Sequence, residues 1–493
     1  MMADIVLVRP NSRKSIYTGV QPEAVSVEPP YWLAALGGYI HTQGYETALI
    51  DAEAGGEPPE YTAAEIAKLN PKLIGVLSTG GNLTASTWTM LSVGTLCRKI
   101  KEVTDAPLFV WGNHPTALPE RTLREEVCDY VVVGEGFDAV LSLCRYAFEG
   151  TPSRDSILGL RWLEHGKLSG NGSLSLIKDM DIIPTIGWDL IPKNQRHYRN
   201  RMHFAFEDPS RRDDYGTICT SLGCPFKCTF CAIRAFSGNA TKMRYKSVEK
   251  ALEEVDFWVT KRKVYYLEIL DECFTADKQF VYAFCDGIIE RGYNLSIWIN
   301  VRIDMVDENL LRHMRKAGIK WLGYGIESCS QNVRANSLKQ QFSYQKIKDI
   351  IDLTKRCGQY TCGNMMFGLP GEKEEDMLAD VQMFRELLIE YPNFYCTMAY
   401  PGSPLYDKVL KEHPEWLPDT WAGYAQLSYE TKPLPTEYLA AEQVLAFRDK
   451  AFNMYFDNNP RYFEVIRNNF GQPAVNAVND MLKGKMKRKI LGD

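Results

Sequence analysis

The sequence predicts an α/β chain built on two parallel sheets. A flavodoxin/Rossmann-like domain covers residues 1–150, an extended strap 151–215, a (β/α)6 partial TIM barrel 216–400, and an α-helical C-terminal region 401–493. Three observations predict this. Short, near-continuous apolar runs alternate with helix-like segments in the first third, the pattern of strands buried on both faces. A second alternation of strand and helix units begins after Tyr215. A loop with three cysteines leaves the first strand of that second series, at the end where such barrels carry their sites.

In the first region, strands are expected at 5–8, 47–50, 73–77, 108–111 and 130–133, with helices at 31–42, 63–69, 85–100, 119–126 and 139–148. Such an order gives a doubly wound sheet of the flavodoxin type, which binds ligands beyond the carboxyl ends of its strands. Those ends carry Pro10-Asn11-Ser12, Ser78-Thr79-Gly80-Gly81, Gly112-Asn113-His114-Pro115-Thr116 and Gly134-Glu135-Gly136. Glycines and hydroxyls there let the backbone approach a large, flat, polar-edged ligand. No G-x-G-x-x-G occurs, which argues against a nicotinamide cofactor.

The strap is rich in Gly, Ser, Asn, Asp and Pro, with a small hairpin expected around His165-Gly166 and proline-punctuated segments at Pro184 and Pro192. Its charged run from Glu207 to Asp214 reads as a solvated loop. In the barrel, strands are expected at 216–221, 264–270, 295–301, 321–326, 363–367 and 394–399, with helices at 248–259, 278–291, 307–317, 344–357 and 374–389. Beyond it, Trp416, Trp421 and Tyr424 form an aromatic loop, suited to walling a cavity or to core packing, and helices are expected at 437–455 and 460–469. The basic tail around Lys483–Lys489 reads as a solvated helix end.

Composition narrows the function. The chain is 45% hydrophobic and 12% aromatic, enough to bury sizeable cores. Its 57 Lys and Arg against 62 Asp and Glu leave a mild net charge of −5, which argues against a general nucleic-acid binder. Thirteen cysteines without a framework spacing exclude a disulfide scaffold and fit reduced thiols in a cytosol, so a cytoplasmic location is expected. The N-terminus reads as a strand, and no apolar run is long enough to span a bilayer.

The cysteine loop, Gly223-Cys224-Pro225-Phe226-Lys227-Cys228-Thr229-Phe230-Cys231, has C-x3-C-x2-C spacing. Thiolates so placed wrap one metal centre from one side, one ligand short of what a cubane iron–sulfur cluster needs. A closed zinc site, the plainer alternative, brings a fourth Cys or His close by. Here the histidines near in sequence, His197 and His203, both lie upstream. The open metal position is then free to bind something else.

This loop resembles the signature of the radical S-adenosylmethionine (SAM) superfamily. The resemblance implies a [4Fe-4S] cluster on Cys224, Cys228 and Cys231 whose open iron chelates SAM. It also implies a SAM site at later strand ends: Phe230 near adenine, Glu272 at the amino group, Arg302 at the carboxylate, Asn300 facing the cavity and Glu327 at the ribose. The Gly368-Leu369-Pro370 turn, through Gly368 and Pro370, would lie on the adenine side. The remaining cysteines show no metal-ligand spacing, which disfavours a second cluster.

The N-terminal motifs resemble the cobalamin-binding domain that precedes many radical SAM domains. The resemblance implies corrin contacts from Asn11, Ser12, Ser78, Thr79, Gly80, Gly112, Asn113, His114, Pro115, Gly134, Glu135 and Gly136. Such domains supply a cobalt-binding histidine in D-x-H-x-x-G. Here Asp51-Ala52-Glu53-Ala54-Gly55-Gly56 places Glu53 in that slot, so this segment offers no imidazole. His114 is the alternative ligand, although a His-Pro turn residue reads as structural.

The whole chain is thus similar to class B, cobalamin-dependent radical SAM methyltransferases. That implies methyl transfer from methylcobalamin to an unactivated carbon of a small-molecule metabolite, after hydrogen abstraction by a 5′-deoxyadenosyl radical. A one-electron donor such as flavodoxin or ferredoxin is implied as partner. No catalytic residue beyond the cluster cysteines stands out. A cobalamin-dependent cyclase or ring-remodelling enzyme shares every motif. A non-catalytic cobalamin sensor would have no need of the cysteine loop. A methylthiotransferase acting on RNA would want three further clustered cysteines near the N-terminus, where Cys97, Cys128 and Cys144 are scattered.

Overall fold

Two sheets meet along their ligand-facing edges, and the connections between them place the site. The protein is seen here in a computed structural model. It describes every residue except 1, 19–24, 80–82, 201–203, 208–214, 239–241, 340–341 and 485, and the backbone alone at 14, 83–85 and 204–205. Gly80, Gly81, His203, Lys485 and most of the charged run of the strap lie outside the described residues.

The first sheet contains β1 (Ile5–Arg9), β2 (Thr47–Asp51), β3 (Leu73–Ser78), β4 (Leu108–Gly112), β5 (Tyr130–Val132), β6 (Leu160–Glu164) and β7 (Lys167–Ser169), in the order β2-β1-β3-β4-β5-β6-β7. The first five are parallel, in the flavodoxin order. β1, β3 and β4 are buried along their whole length, as their unbroken apolar runs require. The hairpin of the strap does not stand alone. β6 adds antiparallel to β5, so the sheet continues past residue 150.

The second sheet is open and all parallel, in the order β15-β14-β13-β12-β11-β8: β8 (Tyr215–Ile218), β11 (Tyr266–Ile269), β12 (Ser296–Val301), β13 (Ile319–Glu327), β14 (Tyr360–Phe367) and β15 (Tyr391–Cys396). This is the expected partial barrel. A two-residue antiparallel ladder, β9 (Ser221–Leu222) against β10 (Arg244–Tyr245), closes the base of the cysteine loop. Asp277, Asp307, Ser247 and Ser343 cap the outer helices by accepting backbone N–H groups, the reason those helices start where the sequence places them.

Polar clamps hold the sheets together. Arg244 donates to both carboxylate oxygens of Glu135, at 2.5 and 2.6 Å, and to the Ile177 carbonyl at 2.5 Å. The Lys246 ammonium pairs with Glu254, and the Tyr31 hydroxyl lies 3.0 Å from Lys246 and 3.2 Å from Glu254. Lys246 and Glu254 are buried. The strap laces the same seam. Asp181 accepts the Ser247 N–H at 2.8 Å, Arg262 pairs with Asp189 at 2.7 Å, and Gln195 accepts the Asp51 N–H at 2.8 Å. Close approach matters at Gly187, where a Cβ would sit 1.8 Å from the Ala34 carbonyl oxygen.

The C-terminal region folds back over both sheets. Phe470 stacks on Trp321 at 5.5 Å and touches Tyr360 at 4.5 Å. Trp421 and Tyr424 join the core of the first sheet, beside Val8 and Ile74. The tail is anchored rather than freely solvated: Arg488 is fully buried, held bidentate by Asp449 at 2.8 and 2.9 Å and bound to the Gln426 and Ser428 carbonyls.

Replacing Glu254 with Ala leaves the Lys246 charge buried without its partner, which is expected to cost about 3–5 kcal/mol. The thermal transition of Glu254→Ala should fall well below that of Lys250→Ala, which removes only an exposed pair.

Candidate active site

The site grows from the end of β8. Asp271, just past β11, is buried and accepts three hydrogen bonds from the start of the cysteine loop: from the Thr220 N–H at 2.7 Å, the Thr220 hydroxyl at 2.6 Å and the Ser221 hydroxyl at 2.5 Å. Further along, the Thr229 N–H donates to the Ser337 carbonyl at 3.0 Å, and the Thr229 carbonyl accepts from Leu405 at 2.9 Å. The Arg302 guanidinium lies 3.6 Å from the centre of the Phe226 ring, a cation–π contact between β12's end and the loop, and pairs with Asp304 at 3.2 Å.

Cys224, Cys228 and Cys231 border one cavity of about 1890 Å³. Burial pushes the Cys224 thiol up to about 11 and the Cys231 thiol higher still. Bound metal displaces such protons and supplies the missing positive charge. Among the described residues no three His, Cys, Asp or Glu side chains close on a single ion. Three cysteines on one short loop, all bordering this cavity, are the donor type an iron–sulfur cluster takes, so the donor set fits such a cluster.

Phe230, Glu272, Asn300, Arg302 and Glu327 line the same cavity. Burial, and then the charge of Asp271, lifts the Glu272 carboxyl to about 7. The Asn300 amide donates to the Asp271 carbonyl at 3.4 Å. Glu327 has a left-handed backbone (φ 68°) where the β13–β14 register shifts, a bulge that aims its side chain. It accepts from Lys339 at 2.8 Å, and Lys339 also lines the cavity. Gly368 and Pro370 are not on the wall. The Gly368 N–H donates to Glu372 at 2.6 Å, and the Pro370 carbonyl accepts from Asn336 at 3.1 Å.

From the first sheet, Ser12, Glu53, Thr89 and Glu135 reach this cavity. Glu53 accepts the Ser12 hydroxyl at 2.6 Å, so the residue in the histidine slot faces the right space with a carboxylate. The other loop residues turn inward to serve the loops themselves. Asn11 donates to the Glu57 carbonyl, and the Ser78 hydroxyl lies 3.0 Å from that of Thr89. Thr79, Asn113 and Pro115 are buried. Gly112 packs on the Ser78 carbonyl, Gly134 accepts from Trp111 at 2.8 Å, and Gly136 (φ 79°) starts a helix. His114 is buried between Thr87, 3.2 Å away, and Trp421, at 4.5 Å, and burial holds its imidazole neutral, down to about 3. It is a packing residue, off the cavity wall.

Sequence reasoning missed Lys339, Phe226 and Glu53's partner Ser12 as a pair. Phe226 meets Arg302 from another strand's end, and Lys339 returns to Glu327 only through the turn after the helix Gln331–Asn336, neither of which spacing reveals.

Fold and site define a class: a B12-binding sheet facing a radical SAM barrel. Residues 218–384 match the radical SAM superfamily, and residues 18–143 match the B12 binding domain. The chain belongs to the cobalamin-dependent radical SAM enzymes, whose cofactors are a [4Fe-4S] cluster, SAM and cobalamin. It is 27% identical over 454 residues to an uncharacterised methyltransferase of Pyrococcus horikoshii, covering 92% of each chain. It is 25% identical over 414 residues to an anaerobic magnesium-protoporphyrin IX monomethyl ester cyclase of Cereibacter sphaeroides, 82% of this chain and 63% of that one. The structure of the radical SAM methyltransferase TsrM from Kitasatospora setae, with cobalamin and a [4Fe-4S] cluster bound, superposes with a TM-score of 0.72 at 17% identity, over 98% of this chain and 99% of that one. Among the described residues no helix is long and apolar enough to cross a membrane.

Asp271→Ala strands three buried donors at the base of the cysteine loop, at about 1–3 kcal/mol each. Iron per chain after anaerobic reconstitution is expected to drop below wild type, although no thiol is altered.

Proposed function

We propose that this chain is a methyltransferase that moves a methyl group from methylcobalamin to an unactivated carbon of a small molecule. The observation that carries the reading is the single cavity: it runs from Ser12 and Glu53 at the strand ends of the first sheet to Cys224, Cys228 and Cys231 at those of the second. When bound, the cluster with SAM supplies a carbon-centred radical and cobalamin supplies the methyl group.

In this reading residues 1–150, with the added hairpin, form the corrin-holding unit, and 216–400 hold the cluster and SAM. Residues 151–215 fix their spacing, and 401–493 cover the barrel. Glu272 accepts the SAM ammonium, and Arg302, pre-oriented on Phe226, receives the carboxylate. Glu327, steadied by Lys339, accepts ribose hydroxyls, and Phe230 packs beside adenine. Gly368 and Pro370 shape the adenine-side turn from behind. Ser12 and Glu53 meet the corrin side, with Glu53 holding no imidazole toward cobalt. The relative from Pyrococcus horikoshii, a methyltransferase by name, supports the reading over nearly the full chain. A cyclase is the second reading, favoured by the likeness to the magnesium-protoporphyrin enzyme. Product mass separates the two, because methyl transfer adds CH2.

Cys228→Ala, reconstituted anaerobically, is expected to lose both deoxyadenosine formation and methyl transfer. Persistence of both would remove the cluster assignment, and absence of corrin absorption bands in the cobalamin-reconstituted wild type would remove the cobalamin assignment. Glu272→Gln is expected to raise the KM for SAM about tenfold or more, the worth of one charge-assisted hydrogen bond.

A further inference from the structure

The lumen of the partial barrel is polar where a packed barrel is apolar. Glu268 of β11 faces it, on the same side of the strand as Leu270 and Glu272. Its neighbours in register are Trp298 on β12 and Thr217 on β8. Asn364 and Asn393, paired across β14 and β15 at 3.0 Å, complete the wall. Trp298 has room to lie across β13 because position 323 is glycine: a Cβ there would stand 2.5 Å from the indole.

Two polar atoms in this lumen have no partner among the described residues: the Glu268 Oε2 and the Thr217 hydroxyl. Both are shielded from solvent. Burial, and then the charge of Glu28 across the cavity, lifts the Glu268 carboxyl to about 8. A buried acceptor without a donor costs stability, and a carboxylate beside another acid costs more. The nearby cations do not relieve it. Arg9 is held by Asp51, Arg302 by Asp304, Lys339 by Glu327 and Arg448 by Asp449. Among the described residues no cation pairs with Glu268, so the site is open to a cationic ligand.

The place is right for a substrate. Glu268 lies within β11, and Glu272, in the turn after the strand's end, lines the same cavity nearer the cysteine loop. A molecule anchored at Glu268 therefore spans from the lumen toward the cluster rim. A carboxylate next to an indole is a recognised receptor for ammonium and guanidinium groups.

We propose that the barrel lumen around Glu268 is the substrate-recognition site, and that the substrate carries a cationic nitrogen, an amine or guanidinium, bound by Glu268 beside Trp298. The word substrate rests on the methyltransferase reading; the cation site does not.

The test uses the full chain, reconstituted with cluster and cobalamin, titrated with benzylamine and agmatine, each against its N-acetylated form, by ligand-observed NMR. At least one cationic probe is expected to bind about tenfold or more tightly than its acetylated form, and Glu268→Gln to abolish that preference. If Glu268→Gln does not fold, Trp298→Leu takes its place and must weaken the cationic probe without weakening the acetylated one. Equal binding of the two forms, no binding of either, or an unchanged preference in the variant would overturn the proposal. Corrin bands are read in the same samples. Their absence in the wild type defeats the methyltransferase reading, while the amine titration still decides the cation site.

Discussion

Arg244 sets the distance between the two sheets. It sits in the short ladder that closes the cysteine loop, and its guanidinium is taken up by Glu135 at the end of the first sheet and by the Ile177 carbonyl of the strap. Arg's planar fork matches a carboxylate in two bonds, which fixes angle as well as distance. One side chain thus ties the base of the cluster loop to the loop after β5. Every contact across the cavity depends on that spacing, because a corrin on one side and a cluster on the other cooperate only when held in register. The buried Lys246–Glu254 pair with Tyr31 repeats the clamp nearby, in a setting where loss of either charge is costly.

The cavity shows how open barrels acquire chemistry. Six strands do not close a ring, so the lumen keeps space that side chains would otherwise fill. Into that space the strands project an acid, amides and an indole, while the rim carries the thiols. The first sheet and its connections add polar groups on the other side, among them Arg9, Ser12, Glu28, Glu53 and Glu135. Its glycine-rich ends mainly give the backbone shape, and their side chains satisfy one another.

The strands of both sheets were legible because apolar, β-branched runs are the direct imprint of burial on two faces. The three cysteines were legible because metal chemistry demands their spacing within one loop. The hairpin at β6 and β7 was visible as a hairpin, but not as part of the first sheet, since the helix Phe137–Glu149 stands between it and β5 and nothing in the pattern marks an antiparallel return to that strand. The loop residues from Asn11 to Gly136 could be placed at strand ends, yet which of them face outward depends on three-dimensional turns: Ser12 and Glu135 do, whereas His114 is captured by Trp421 from the other end of the chain. Glu268 was hidden for the opposite reason. Within a strand of ordinary alternation, an acid facing inward reads the same as one facing water.

The packing of Trp421 and Tyr424 into the core of the first sheet has a consequence for biosynthesis. On the ribosome the first sheet emerges first, but the socket around His114 stays unfilled until the whole barrel has been made. For that interval the nascent chain carries an apolar notch with no occupant, open to misassembly or to a chaperone. The last fifth of the polypeptide closes the first fold, and the two cofactor-binding units mature as one.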